Sequence, residues 1–264
     1  MSWRLSLMTE FSCACYVINL DRSPDRMNRI ADNLQKIGLA YERHPAVDGR
    51  GLDLCSQLDF DATGYARMHG KRPVANEVGC YLSHMNAIKR FLQTDEKYCL
   101  ILEDDALLPT DLLEVLQQVL SSPAQGDLTL LYGNRRMVAL PVARLSGRRN
   151  IVGYWGKQTG AVAYLINRKA AKAFLHHMLP MRLPLDHAFS QVWAMGIRIR
   201  GVHPFPVTTG AFDSVIGKTG EKFPLRHRFQ TLRFRFLSEM RRYKYQMFQD
   251  RIFLEAIRYL RRKS

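Results

Sequence analysis

Apolar residues along this chain change spacing repeatedly, between short runs and three-four periodicity, and the changes outline alternating strands and helices. Cys13–Leu20 is an apolar run ending in Asn-Leu-Asp and predicts a first strand. Ser23 and Pro24 supply a helix cap and first helical residue, and Gly38 a natural stop, so a helix is expected between them. Tyr41–Val47 predicts a second strand. Residues 48–73, rich in Gly, Asp and basic side chains, predict an irregular loop with room for one short helix. Asn76–Leu92 places Val78, Leu82, Met85, Ile88 and Leu92 on one helical face.

Tyr98–Leu102 reads as a strand, Leu107–Leu120 as a helix and Asp127–Tyr132 as a strand. Arg135–Asn150 is polar and basic and reads as loop. Strands follow at Ile151–Trp155 and Ala161–Ile166, then helices at Lys169–Met178 and Asp186–Met195, then a strand at Ile197–His203. This alternation predicts an α/β fold: a Rossmann-like, mostly parallel sheet covered by helices on both faces. Ligands of such sheets bind at the carboxyl ends of the strands, where Asn19 and Glu103–Asp105 would lie.

After Pro224 a different pattern begins. Leu225, Phe229, Leu232, Phe236, Met240, Tyr243 and Met247 form one stripe, which shifts to Phe248, Ile252, Ala256 and Tyr259. One long helix or two shorter ones are expected, apolar on one side and basic on the other. Lys222–Ser264 carries thirteen Lys/Arg against three Asp/Glu, so +10 of the total +15 belongs to this tail. The division is therefore residues 1–221 as the α/β domain and 222–264 as a basic helical extension. Packing of the stripe on the fold, with the charges attracted to an anionic membrane surface, is the expected arrangement.

A hydrophobic content of 47% fits a chain with a substantial core, and no uncharged stretch approaches the roughly 18 residues of a membrane span. The first twenty residues have one basic residue and no small-residue cleavage site, so their apolar part reads as strand rather than signal peptide. The five cysteines are expected to be reduced thiols, and Cys13 and Cys15 to share one strand face. The basic charge sits at one end without a recognition motif, which argues against a specific nucleic-acid partner. G-x-G-x-x-G, the P-loop, H-E-x-x-H and G-x-S-x-G are all absent; Gly217-Lys218-Thr219 lacks the upstream glycine.

Candidate chemistry centres on Glu103-Asp104-Asp105 at the end of an apolar strand. Three adjacent carboxylates leaving a buried strand need a compensating cation, or else form a solvated loop or helix cap. A hard divalent metal holding a phosphate would resolve the conflict. Asn19 could pair with a base edge, and Arg22 and Arg26, four apart at a helix start, could face one anion or pair with nearby aspartates. Glu77, Ser83 and His84 sit on one helix; a helical histidine is a core hydrogen-bonding residue or a catalyst. Asp186 is either an N-cap or a carboxylate aimed into a cleft.

The ordered set Tyr16-Val-Ile-Asn-Leu-Asp-Arg22 with Arg26, Ala46-Val-Asp-Gly49, Glu77-Val-Gly-Cys-Tyr-Leu-Ser-His84, Ile101-Leu-Glu-Asp-Asp105, Gly160-Ala-Val-Ala-Tyr164 and Pro184-Leu-Asp186 resembles glycosyltransferase family 25. The family includes bacterial lipooligosaccharide galactosyl- and glucosyltransferases. The resemblance implies a nucleotide-sugar transferase domain of the A type, a UDP-sugar donor, a divalent cation (manganese, or magnesium), and inversion at the anomeric carbon. It implies that Asn19, Arg22, Arg26, Asp48, Ser83 and Asp104 lie at the nucleotide-sugar and that Glu103 and Asp105 hold the metal. Asp186 is the expected general base, with Glu77 and His84 in reserve, and His203 a possible third metal ligand. Pro206–Gly210 lacks the glutamine that members carry there. The expected acceptor is a lipid-linked saccharide of lipopolysaccharide type, reached from the inner face of the cytoplasmic membrane. Self-association is compatible with the tail, and a non-catalytic nucleotide-binding scaffold is the rival reading.

Overall fold

The computed structural model describes residues 12–134, 138–210, 220–224 and 228–262. The N-terminal residues before Ser12, Leu225 of the tail stripe and Gly217-Lys218-Thr219 therefore lie outside the described residues.

β1 (Cys13–Asn19) runs between β2 (Glu42–Pro45) and β3 (Tyr98–Glu103), parallel to both. β8 (Ala163–Asn167) is antiparallel to β3 and to β5 (Leu128–Leu130). β9 (Ile199–His203) is parallel to β5, and β7 (Asn150–Trp155) and β6 (Val138–Arg144) complete the sheet in antiparallel pairings. The order is β2-β1-β3-β8-β5-β9-β7-β6. The α/β class holds, with a mixed sheet: parallel where β1 meets its neighbours, antiparallel over much of the other half. A short ladder, β4 (Ala106–Leu107) with β10 (Thr208–Thr209), lies beyond the end of β3.

Alternation along β1 and β3 divides the core in two. Tyr16, Ile18, Cys99 and Ile101 face one apolar cluster, and Cys13, Cys15, Val17, Leu100 and Leu102 the other. The first cluster is roofed by α3 (Ala75–Leu92) and α5 (Arg168–Met178), the second by α1 (Pro24–Ile37) and α4 (Leu112–Ser121). Val78, Met85, Ile88 and Phe91 of α3 are fully buried, each stabilising by about 1.5–3 kcal/mol. Cys13 and Cys15 share a face as expected, and all five thiols are free. The short helix in the 48–73 loop is α2 (Ala62–His69).

Three expectations need correction. Within the segment expected as loop, Val138–Arg144 is instead the edge strand β6, with a register shift between Pro141 and Ala143. An edge strand tolerates a proline that a central one would not. The helix expected from Leu107 starts only at Leu112, because Ala106–Leu107 pairs with β10 instead. Asp186–Met195 is two short helices, α6 (Leu185–Phe189) and α7 (Val192–Met195).

The tail forms α8 (Phe229–Phe248) and α9 (Ile252–Arg261), but its stripe does not pack as expected. On α8 the buried side is polar: Thr231, Ser238, Arg242, Tyr245 and Gln246. Tyr245 Oη donates to Ile197 O at 2.8 Å, and Gln246 bonds both the N–H and the carbonyl of Gly156 at 3.1 Å. Phe229, Leu232, Phe236, Met240 and Met247 are exposed on the opposite side. The three-four period of the stripe was right, and most of it faces outward because the buried side of α8 is held by hydrogen bonds together with Phe234, Tyr245 and the ring contact of Tyr243 with Trp155. α9 inserts Ile252 and Ala256. Arg200 on β9, fully buried, reaches Asp250 and Glu255 at 2.9 and 2.8 Å and ties the tail to the sheet.

Candidate active site

Two openings meet at the carboxyl end of β3. The first is a pocket bordered by Arg22, Arg26, Val47, Ser83, His84, Glu103 and Asp104. The second is an open cleft bordered by Glu77, Asp105, Asp186 and Thr209. Arg26, Cys80 and Glu103 line both and form the passage between them.

The acidic motif is divided between two partners. Arg26, from the first turn of α1, pairs with Asp104 and lies 3.4 Å from Asp105. Glu103 turns the other way, its Oε1 3.3 Å from His84 Nε2. Part of the cationic compensation that the sequence demanded therefore comes from Arg26. It is incomplete: Asp105 Oδ1 is buried with no hydrogen bond among the described residues. Burial first, and Glu103 second, raise the Asp105 carboxyl to about 6 against the pull of Arg26. A divalent cation fits an orphaned carboxylate oxygen beside a second carboxylate. The backbone at this point is fixed, since Gly210 N–H donates to Asp105 O at 3.3 Å and β10 pairs with Ala106. The Pro206–Gly210 segment thus lies against the acidic motif even without the glutamine.

Asn19 is buried, and its amide is occupied. Nδ2 donates to Asp104 Oδ2 at 2.7 Å and Ser23 O at 3.0 Å, and Oδ1 accepts from Arg43. It steadies Asp104 and does not line the pocket. Asp48 pairs with Arg22 and Arg50, and these hydrogen bonds, Arg50 first, hold its carboxyl well below the usual range. Ser83 Oγ accepts from Val47 N–H at 2.8 Å and donates to Gly79 O, pinning the 46–49 loop to α3. That approach requires glycine: a Cβ on Gly49 would stand 2.4 Å from Ala75 O, and one on Gly79 2.7 Å from Val47 O.

Asp186 occupies the first turn of α6, whose N-cap is Pro184, so it is no simple N-cap. Glu77, across the cleft, accepts from the Tyr65 hydroxyl, and burial raises its carboxyl above the ordinary value. His84 is fully buried against Tyr164, which makes it a neighbour of Glu103 rather than a group facing the cleft. His203 is exposed beside Phe205 and borders neither opening. The structure does not bring it to the acidic motif, because β8 and β5 separate β9 from β3.

Residues 13–189 match the family described as Glycosyltransferase family 25 (LPS biosynthesis protein), about two thirds of the chain. The chain belongs to glycosyltransferase family 25. A Glycosyltransferase 25 family member of Aedes aegypti is 32% identical over 182 residues, 65% of this chain and 29% of the relative. Procollagen galactosyltransferase 1-A of Xenopus laevis is 29% identical over 187 residues, again 65% of this chain and 29% of its own. A viral relative, from Acanthamoeba polyphaga mimivirus, is named Procollagen lysyl hydroxylase and glycosyltransferase and is 31% identical over 189 residues, 65% of this chain and 20% of its own. The chain thus spans under a third of the length of these relatives.

The family-25 region holds both openings, apart from Thr209 and Gly210 of the cleft rim. Sequence reasoning missed two residues there. Tyr65, on a helix expected only in outline, holds Glu77. Cys80 lies in the passage, and its signal was available: it stands four residues before His84, on the same helical face.

Proposed function

We propose that this chain is an inverting hexosyltransferase that moves galactose from UDP-galactose to a saccharide acceptor. The reading rests on one observation: a pocket edged by Arg22 and Arg26 and an acid-lined cleft share the passage at Glu103, with Asp105 and Asp186 both on the cleft side. Arg22 and Arg26 carry the positive charge that a diphosphate needs in the first pocket. Glu103 and Asp105 would hold the divalent cation, which when bound supplies Lewis-acid stabilisation of the departing diphosphate. Single-displacement inversion needs a base opposite the leaving group. Asp186 takes the proton from the acceptor hydroxyl, with Glu77, raised by burial, as the alternative carboxylate. His84 positions Glu103. Galactose is supported by the printed names of the procollagen galactosyltransferase relatives.

A lipid-linked acceptor is supported by α8. Its outward apolar residues are interspersed with exposed Arg233, Arg241 and Lys244, the composition of a helix that lies on an anionic bilayer surface. No helix of the described residues is long and apolar enough to cross a membrane. Attachment from the cytoplasmic side is the arrangement this reading assigns.

The test is UDP release from a panel of UDP-sugars with an acceptor extract. Release that is fastest with UDP-galactose supports the reading. Salt-sensitive binding of random DNA without UDP binding would favour the nucleic-acid alternative, and UDP binding without release the scaffold.

A further inference from the structure

Cys80 and His84 stand one turn apart on α3 and face the end of β3, where Glu103 emerges. Cys80 Sγ, a His84 ring nitrogen and a Glu103 carboxylate oxygen lie within 4.8 Å of one another. The two nitrogens of His84 have unlike surroundings. Nδ1 is 3.0 Å from the Tyr164 hydroxyl. Nε2 approaches Glu103 Oε1 at 3.3 Å, yet it is buried and makes no hydrogen bond among the described residues. A buried ring nitrogen without a hydrogen bond is an exception that calls for a cause. Tetrahedral zinc, with bonds of about 2.0–2.1 Å to N and O, sets its ligand atoms about 3.3 Å apart. The observed nitrogen–oxygen separation already matches that edge. When Nδ1–H donates to the Tyr164 hydroxyl, the Nε2 lone pair is left for a metal and Tyr164 serves as the imidazole's outer partner.

We propose that Cys80, His84 and Glu103 form a three-ligand site for a borderline-soft divalent ion, zinc in the first instance, with its fourth position open to the passage between the two cavities. The donor set is the argument for the ion. Sulfur and imidazole suit zinc, whereas manganese and magnesium favour oxygen ligands such as Asp105. On binding, the Cys80 S–H bond breaks, an S–Zn bond forms, and the proton leaves to solvent. The site shares Glu103 with the cation of the proposed transferase; only the consequence that zinc would compete there rests on that reading.

The test uses the full chain, stripped with chelator and titrated with cobalt(II) alone, without donor or acceptor. One equivalent should produce a near-ultraviolet thiolate-to-cobalt charge-transfer band that zinc abolishes. Cys80→Ser should remove the band, and Cys55→Ser, at an exposed thiol, should leave it intact. Glu103→Gln, at a partly exposed carboxylate, should weaken cobalt binding at least tenfold while the fold is retained by circular dichroism. Absence of the band in the wild type, its persistence in Cys80→Ser, or wild-type affinity in Glu103→Gln overturns the proposal. Failure of the transferase reading looks different: no UDP release from any donor, with the cobalt band present.

Discussion

Arg26 is the residue through which the site works in the absence of ligand, since it faces Asp104 and Asp105 together. Asp105 nevertheless remains raised to about 6, because burial and Glu103 outweigh that partner. A raised carboxyl disfavours the ionised form in the fold. The metal-free native state bears this cost fully above about pH 6; as pH falls from there toward 3.8, the native carboxyl protonates first and the cost disappears. Asp105→Asn should therefore stabilise the chelator-treated chain at neutral pH, with the gain fading to nothing near pH 4, as measured by thermal melts across pH. Asp186→Asn should lower kcat by about 10²–10⁴ while UDP affinity stays unchanged, as for loss of a general base; near-normal turnover would remove Asp186 from that role. At this scale the sequence was informative about which residues meet and less so about what each touches. The acidic motif, Arg26, Glu77 and Asp186 do converge. That Asn19 is consumed by Asp104, Ser23 and Arg43 depends on contacts up to 85 residues apart, which no local pattern encodes.

Elements whose character follows from local pattern were legible: β1, α1, α3 and β3 lie within a residue or two of their expected bounds. β6 was not, since an edge strand needs no apolar alternation and can carry Pro141. α8 was legible in period and not in direction, because a buried face held largely by hydrogen bonds leaves little hydrophobic signature. Two predictions belong here. Asp250→Ala should destabilise the fold by about 3–5 kcal/mol, because it removes one of the two carboxylates that neutralise the buried Arg200; chemical denaturation reads this directly. The double variant Phe236→Asp, Met240→Asp should leave the melting temperature unchanged, since both side chains are exposed, and should abolish sedimentation with anionic vesicles. Equal sedimentation of variant and wild type would remove the membrane role. Deleting residues 222–264 is a poorer test, because it strips Arg200 of both carboxylates.

Across the whole molecule, the mixed sheet sets the site. Parallel pairing at β1–β3 brings the loops after two strands to one edge, where the pocket forms. The antiparallel pairing of β3 with β8 brings the Gly160–Tyr164 segment alongside, and the cleft opens beyond it. The α/β class and this placement were readable from the alternation of spacings. The balance of parallel and antiparallel pairs was not, because it depends on which strands become neighbours across long stretches of chain. The account as a whole requires that Glu103 and Asp105 bind a divalent cation together with a nucleoside diphosphate. Calorimetric titration of UDP into the full chain, with manganese and with chelator, measures this most directly. The account predicts at least tenfold tighter UDP binding with manganese and loss of that increment in Asp105→Asn. Equal affinity under both conditions would contradict it.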